Sequence, residues 1–207
     1  MQKLLEGIVE FKKNDFETHK ILFQDLGRKQ SPHTLFIGCS DSRIDPALIT
    51  KTLPGELFLI RNIANIVPIY REAKEYLSTT ATIEYAIHIL NVKNIIVCGH
   101  SNCGGCAALY WEDKKFNELP HTKRWLELAK DVKGKVLRQI PDEDEIAKEW
   151  LTEQINVVEQ LKHLLTYPYI KEKYKKKELT IYGWYYIIET GEIFNYNKET
   201  HFFELVN

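Results

Sequence analysis

The sequence predicts an α/β fold, a mostly parallel β-sheet flanked by helices. Three features predict it. Short apolar runs recur at 33–39 (HTLFIGC), 56–62 (ELFLIRN) and 94–100 (NIIVCGH). Each is rich in Ile, Leu, Val or Phe, as strands buried on both faces require. A helical pattern, LSTTATIEYAIHIL at 77–90, separates the second run from the third, and a fourth run, LTIYGWYYII at 179–188, follows a long amphipathic stretch. Strands alternating with helices imply crossover connections and hence parallel pairing.

The elements follow in order. Residues 2–27 read as two helical pieces, with Leu4, Leu5, Ile8 and Phe11 on one apolar face and Phe16, Ile21, Phe23 and Leu26 on another. Gly27 is the stop signal. This arm precedes the first core strand, which leaves it free to pack on a partner chain. The helix at 77–90 has Ser78 or Thr79 to cap it and Glu84 in its interior. The segment 142–166 reads as a long amphipathic helix between Pro141 and Pro168. Its stripe is Ile146, Trp150, Val157, Val158, Leu161, Leu164 and Leu165, which suggests core packing without site chemistry. After 179–188, a Thr-Gly-Glu turn leads into IFNYN at 193–197.

With 207 residues, 44% of them hydrophobic, the chain suits one domain over 1–207. Residues 1–29 form the helical arm, and 30–207 the α/β core with its C-terminal helices and strands. The 28 basic residues nearly balance 29 acidic ones. A net charge of −1 gives no bulk field for nucleic acid. The lysine run at 171–177 reads as a solvated helix end. The charged, amphipathic N-terminus lacks the apolar core and cleavage site of a signal peptide, and no stretch is apolar enough to span a bilayer. The expected setting is therefore cytoplasmic. Three of the four cysteines crowd into 98–106, which in a reducing compartment points to metal or catalysis.

Two of the predicted strands end in cysteine-bearing loops, FIGCSDSR at 36–43 and VCGHSNCGG at 97–105. In an open α/β sheet, ligands bind outside the carboxyl ends of the strands. If the two strands are parallel neighbours, Cys39 reaches the edge that carries His100 and Cys103. Two thiolates and one imidazole suit zinc and leave a fourth position open. A closed structural site would need a second cysteine near Cys39, and none is there. Asp41 can either close the metal as a fourth ligand or pair with Arg43 and accept a hydrogen bond from metal-bound water.

Cys98, inside a strand, and Cys106, in the first turn of the helix that CGGCAALYW begins, read as small buried hydrophobes. The other histidines have no ligand spacing. Two rival readings remain. One is a thiol–disulfide oxidoreductase using Cys103 and Cys106 at a helix start. The other is a non-catalytic, zinc-stabilised binding protein.

These motifs carry a family resemblance. CSDSR (39–43), PGELFLIRNIAN (54–65), IEYA (83–86) and GHSNCGG (99–105), with LLTYPYIKE (164–172) and GWYY (183–186), resemble the β-class carbonic anhydrases. The resemblance implies a zinc enzyme that reversibly hydrates CO2 to bicarbonate and a proton. On it, Cys39, His100 and Cys103 match the ligands of one zinc ion per subunit. Asp41 and Arg43 match a catalytic dyad that orients zinc-bound hydroxide for attack on CO2. The family's minimal unit is a dimer with the site at the subunit interface and the N-terminal helices embracing the partner, which implies a homo-oligomer built from dimers. The plant-like subclass fits best. Gln30 matches its substrate-donating glutamine, and Phe58 and Tyr85 its apolar wall and hydrogen-bonding tyrosine. Gly104 and Gly105 stand apart from this match: at a helix start they allow close backbone approach, which makes Gly104 a candidate substrate contact. A second style places a tryptophan three residues before the first cysteine, to hold bicarbonate with an arginine and a tyrosine. Here that position is Phe36, which has no indole N–H, although Arg61 and Tyr186 are present.

Overall fold

The computed structural model describes residues 1–72, 75, 77–140 and 144–207. Helices α1 (Gln2–Lys13), α2 (Asp15–Thr18) and α3 (Lys20–Leu26) form the arm. Then come β1 (Thr34–Cys39), α4 (Pro46–Thr50), β2 (Leu57–Asn62), α5 (Ser78–His88) and β3 (Asn94–His100). The long connection that follows carries α6 (Gly104–Ala107), α7 (Pro120–Leu126), α8 (Lys130–Val136), α9 (Glu145–Leu164) and α10 (Pro168–Lys175). It returns as β4 (Thr180–Tyr186), β5 (Ile193–Tyr196) and β6 (Phe203–Leu205).

The six strands lie in the order β2-β1-β3-β4-β5-β6. The first four in that order pair in parallel, and β5 and β6 add on antiparallel. The order sets the site. From β1 the chain crosses to β2 on one side, whereas from β3 it leaves for β4 on the other. The loops after β1 and β3 therefore part, and a crevice opens between neighbouring strand ends, where α/β sheets bind ligands. Gly38 pairs with Cys98, so Cys39 and His100 end their strands side by side.

The main core lies between the sheet and α5, α9 and α10. Leu35, Ile37, Ile83, Ile87, Ile95, Val97, Val157 and Leu164 are all fully buried there. Each such side chain contributes about 1.5–3 kcal/mol relative to exposure. A second cluster sits under the site and joins Cys39, Ala64, Cys103 and Cys106 to Leu126, Val132 and Val136. Gly99 lets α9 come down onto β3: a Cβ there would stand 2.6 Å from Val157 Cγ2.

Several expectations change. The run 56–62 becomes an edge strand of this chain's sheet rather than one buried on both faces, and Leu59 is 46% exposed. Neither Ser78 nor Thr79 caps α5. Leu77 takes the cap position, and the Thr79 hydroxyl instead faces Asn62 Nδ2 at 3.4 Å. Pro141 lies outside the described residues. Asp144 caps α9 through Ala147 N–H at 3.0 Å. Pro168 sits in the first turn of α10, which carries part of the lysine run. Ile146 and Trp150 are exposed, because the buried face of α9 is instead lined in part by Thr152, Glu153, Asn156 and Gln160. These polar side chains serve backbone groups in irregular loops, which have no regular partners of their own. Asn156 donates to Ala64 C=O at 2.9 Å, and Gln160 accepts from Val67 N–H at 2.9 Å.

Candidate metal centre

Cys39 and His100 arrive on adjacent strand ends, and Cys103 follows three residues after His100. Asn102, at φ 56°, bends the chain back between them. The side chains of Cys39, His100 and Cys103 are 5%, 1% and 1% exposed. The sulfurs of Cys39 and Cys103 are 4.0 Å apart. His100 Nδ1 lies 2.9 Å from Ser101 C=O. A carbonyl only accepts, so Nδ1 carries the proton and Nε2 keeps its lone pair. Among the described residues, Nε2 is buried without a hydrogen-bond partner. All three ligand atoms lie within 4.8 Å of one another.

These residues fit zinc. Tetrahedral Zn–S bonds of about 2.3 Å separate two sulfurs by about 3.8 Å, close to the spacing found. An acceptor nitrogen buried without a donor is costly unless something binds it. Without a cation, the hydrogen bond with the Cys103 thiol, and then burial, push Cys39 up to about 12. The Cys106 thiol and burial likewise raise Cys103. A bound metal favours the thiolates.

The same values weigh against the redox reading. A reactive cysteine needs a lowered pKa and access. Cys103 is raised and buried, and Cys106 is 3% exposed within the second core cluster. Cys98 is buried beside Phe36 and Ile96 in a small cluster of its own.

Beside the cluster, Asp41 and Arg43 form a bidentate pair. Arg43 Nε donates to Asp41 Oδ1 at 2.9 Å and Nη2 to Oδ2 at 2.8 Å. The Arg43 backbone N–H adds a bond to Oδ1 at 3.0 Å. The guanidinium holds the Asp41 carboxyl far below the usual carboxylate range. Asp41 Oδ2 is 4.0 Å from His100 Nε2, so the carboxylate borders the cluster while engaged with Arg43.

Two further residues shape these loops. Arg61, from β2, donates to Cys39 C=O at 3.0 Å and to Asp41 C=O at 2.5 Å, which pins the loop after β1. Glu153, from α9, accepts the Cys103 N–H at 2.7 Å and the Tyr185 hydroxyl at 2.6 Å. Burial pushes Glu153 up to about 7, against the pull of these bonds. The helix read as packing alone therefore reaches the site. The sequence signal was a carboxylate four residues before Val157, on the same helical stripe. Phe36, fully buried, packs edge-on against Trp184 at 6.3 Å.

The four candidate substrate contacts are placed differently. Gly104 follows Cys103 with open space on its side-chain face, whereas at Gly105 a Cβ would stand 2.8 Å from Ala64 Cβ. Close approach is thus the role of Gly105. Phe58 and Tyr85 stack with ring centroids 6.0 Å apart. Cys39 pairs with Asn62, four residues beyond Phe58, so Phe58 lies about 13 Å back along the strand. Gln30 is exposed ahead of the N-terminal end of β1. Within one chain, Gln30, Phe58 and Tyr85 are therefore set toward the opposite end of the strands from the cysteines.

Comparison with known proteins gives a consistent picture. The family profile described as carbonic anhydrase matches residues 34–193. A carbonic anhydrase of Helicobacter pylori is 45% identical over 201 residues, covering 96% of this chain and 91% of that protein. The solved structure of the β-carbonic anhydrase CcaA superposes with a TM-score of 0.94 at 37% identity, covering 100% of this chain and 99% of that one. A structure from work on two tetrameric β-carbonic anhydrases of Sordaria macrospora gives 0.79 at 33% identity, covering 94% and 95%.

Proposed function

Because this chain belongs to the β-carbonic anhydrases, enzymes that hydrate CO2, we propose that its Cys39–His100–Cys103 cluster holds the zinc ion and that Asp41 and Arg43 orient the reaction there. The observation that carries this reading is the buried His100 Nε2, unpartnered among the described residues and within 4.8 Å of two thiols. Zinc bound there would supply Lewis-acid activation of a water molecule, lowering its pKa towards about 7. That value is the one known for a carbonic anhydrase with a different ligand set.

This chain's own residues do the rest. Asp41 Oδ2 accepts a hydrogen bond from the attacking oxygen and aims its lone pair at the CO2 carbon. Arg43 keeps Asp41 ionised, so the acceptor persists at neutral pH. The two bonds from Arg43 also hold the carboxylate away from the ligand set, leaving the fourth position for solvent. Arg61 and Glu153 fix the two loops by their backbones.

The substrate pocket is completed by a second copy. Gln30, Phe58, Tyr85 and Gly104 are the proposed substrate contacts, and the first three would serve the partner's metal centre. Supporting this, α1–α3 bury no residue within the chain, and Leu4, Leu5, Ile8 and Ile21 stand more than half exposed. The working assembly is then a homo-oligomer built from dimers. No described helix is long and apolar enough to cross a membrane. Four free cysteines suit a reducing cytoplasm. Metal analysis with stopped-flow CO2 hydration tests the reading. It expects one zinc per chain and zinc-dependent turnover, and a purified protein without either would overturn it.

A further inference from the structure

The bond between Asn102 and Cys103 is gripped at both of its polar ends. Its carbonyl, Asn102 C=O, accepts from Arg43 Nη2 at 2.9 Å. Its N–H, on Cys103, donates to Glu153 Oε1 at 2.7 Å. One peptide plane thus links a proposed metal ligand, the dyad arginine and a carboxylate 50 residues further along the chain.

Glu153 is built to stay there. It is 2% exposed, and its second oxygen accepts the Tyr185 hydroxyl at 2.6 Å. Tyr185 is itself 1% exposed on β4. Val157, one turn further along α9, is seated against Gly99 and fixes the height of the helix over β3. Asn102 holds a left-handed φ of 56°, a backbone that needs its surroundings to stabilise it.

We propose that Glu153 is a positioning residue of the metal centre, holding the Asn102–Cys103 peptide so that Cys103 Sγ stays on the metal and Asn102 C=O stays on Arg43. It touches neither metal nor substrate. It acts through the peptide, and the proposal rests on the zinc reading above.

The test compares purified wild type with Glu153→Ala, Glu153→Gln and Val157→Ala. Two quantities are read: zinc affinity by competition with a chromophoric chelator, and the absorption spectrum of the cobalt(II)-substituted protein. Glu153→Ala is expected to weaken zinc binding by about 10- to 100-fold and to shift the cobalt bands. Glu153→Gln keeps an acceptor for Cys103 N–H and a partner for Tyr185, so its affinity and spectrum stay near wild type. Val157→Ala lowers the melting temperature and leaves the spectrum in place. A wild-type spectrum and affinity in Glu153→Ala would overturn the proposal. So would Glu153→Gln as weak as Ala, which would mean charge rather than placement, or an equal spectral shift in Val157→Ala, which would mean packing alone. Should Glu153→Ala not fold, Glu153→Asp takes its place. Its shorter carboxylate is expected to weaken binding, and an unchanged spectrum would overturn the proposal. Failure of the wild type itself to bind zinc or cobalt would contradict the metal-site reading, a different outcome from normal binding that is indifferent to residue 153.

Discussion

The N-terminal arm and the crevice between β1 and β3 are opposite cases of how a chain uses its side chains. The arm's side-chain bonds reach three or four residues, as in Gln2–Glu6 and Lys20–Glu17, and its rings meet mainly each other, Phe11, Phe16 and Phe23. Its apolar faces remain open. In the crevice the bonds reach across the chain: 20 residues from Arg61 to Asp41, 59 from Arg43 to Asn102 and 50 from Cys103 to Glu153. These crevice bonds are all made within this chain. On the proposed reading the arm's open faces are used by a second copy, which suits helices too short to be more than marginal in water on their own.

The comparison can be broken at several points. Cys39→Ser removes a proposed ligand outright. Its zinc affinity is expected to fall by more than the about 10- to 100-fold typical of supporting residues, taking turnover with it, while Cys106→Ala keeps both. Metal analysis beside CO2 hydration assays checks the pair. Arg43→Gln should leave zinc content intact and lower kcat by about 100-fold, the scale of a misplaced reacting group. Stopped-flow kinetics on zinc-loaded protein reads it. Deleting residues 1–26 should convert the assembly to smaller species by sedimentation while the crevice still binds zinc. An unchanged number of chains per particle would show that the arm's open faces are not what holds copies together.

Smaller effects probe the packing of α9 behind the crevice. Gly99→Ala forces α9 off β3 and should cost about 1–3 kcal/mol, read as a lowered midpoint in denaturant. Glu159 tests charge. Burial raises its pKa, but the bonds from Lys135 and Lys162 outweigh burial and lower it overall. A lowered folded-state pKa contributes stability above the unfolded value, and that stability is lost as pH falls through the folded one. Glu159→Gln should therefore cost up to about 1 kcal/mol near pH 7, and the difference should vanish in acid. Melting temperatures across pH check it.

Much of the crevice was legible because its chemistry is local. CSDSR and GHSNC each put their chemistry-bearing residues within five positions, and apolar runs ending in such loops announce strand ends. The parallel order followed from strands alternating with helices. What escaped depended on distance. Glu153 sits on a stripe whose neighbours Val157 and Leu161 are ordinary core, and nothing local says that a loop N–H waits opposite. The edge position of β2 escaped because its composition matches that of the buried β1. Only strand order tells them apart. Ile146 and Trp150 misled for the converse reason, since helical spacing alone ignores which loops the helix must satisfy.

X-ray absorption at the zinc edge of the purified protein bears most directly on the metal centre. Cys39, His100 and Cys103 predict two sulfurs at about 2.3 Å and two lighter N or O atoms at about 2.0–2.1 Å, one of them solvent. Three or four sulfurs would bring Cys106 or Cys98 into the site and contradict the assignment, as would a protein that holds no zinc.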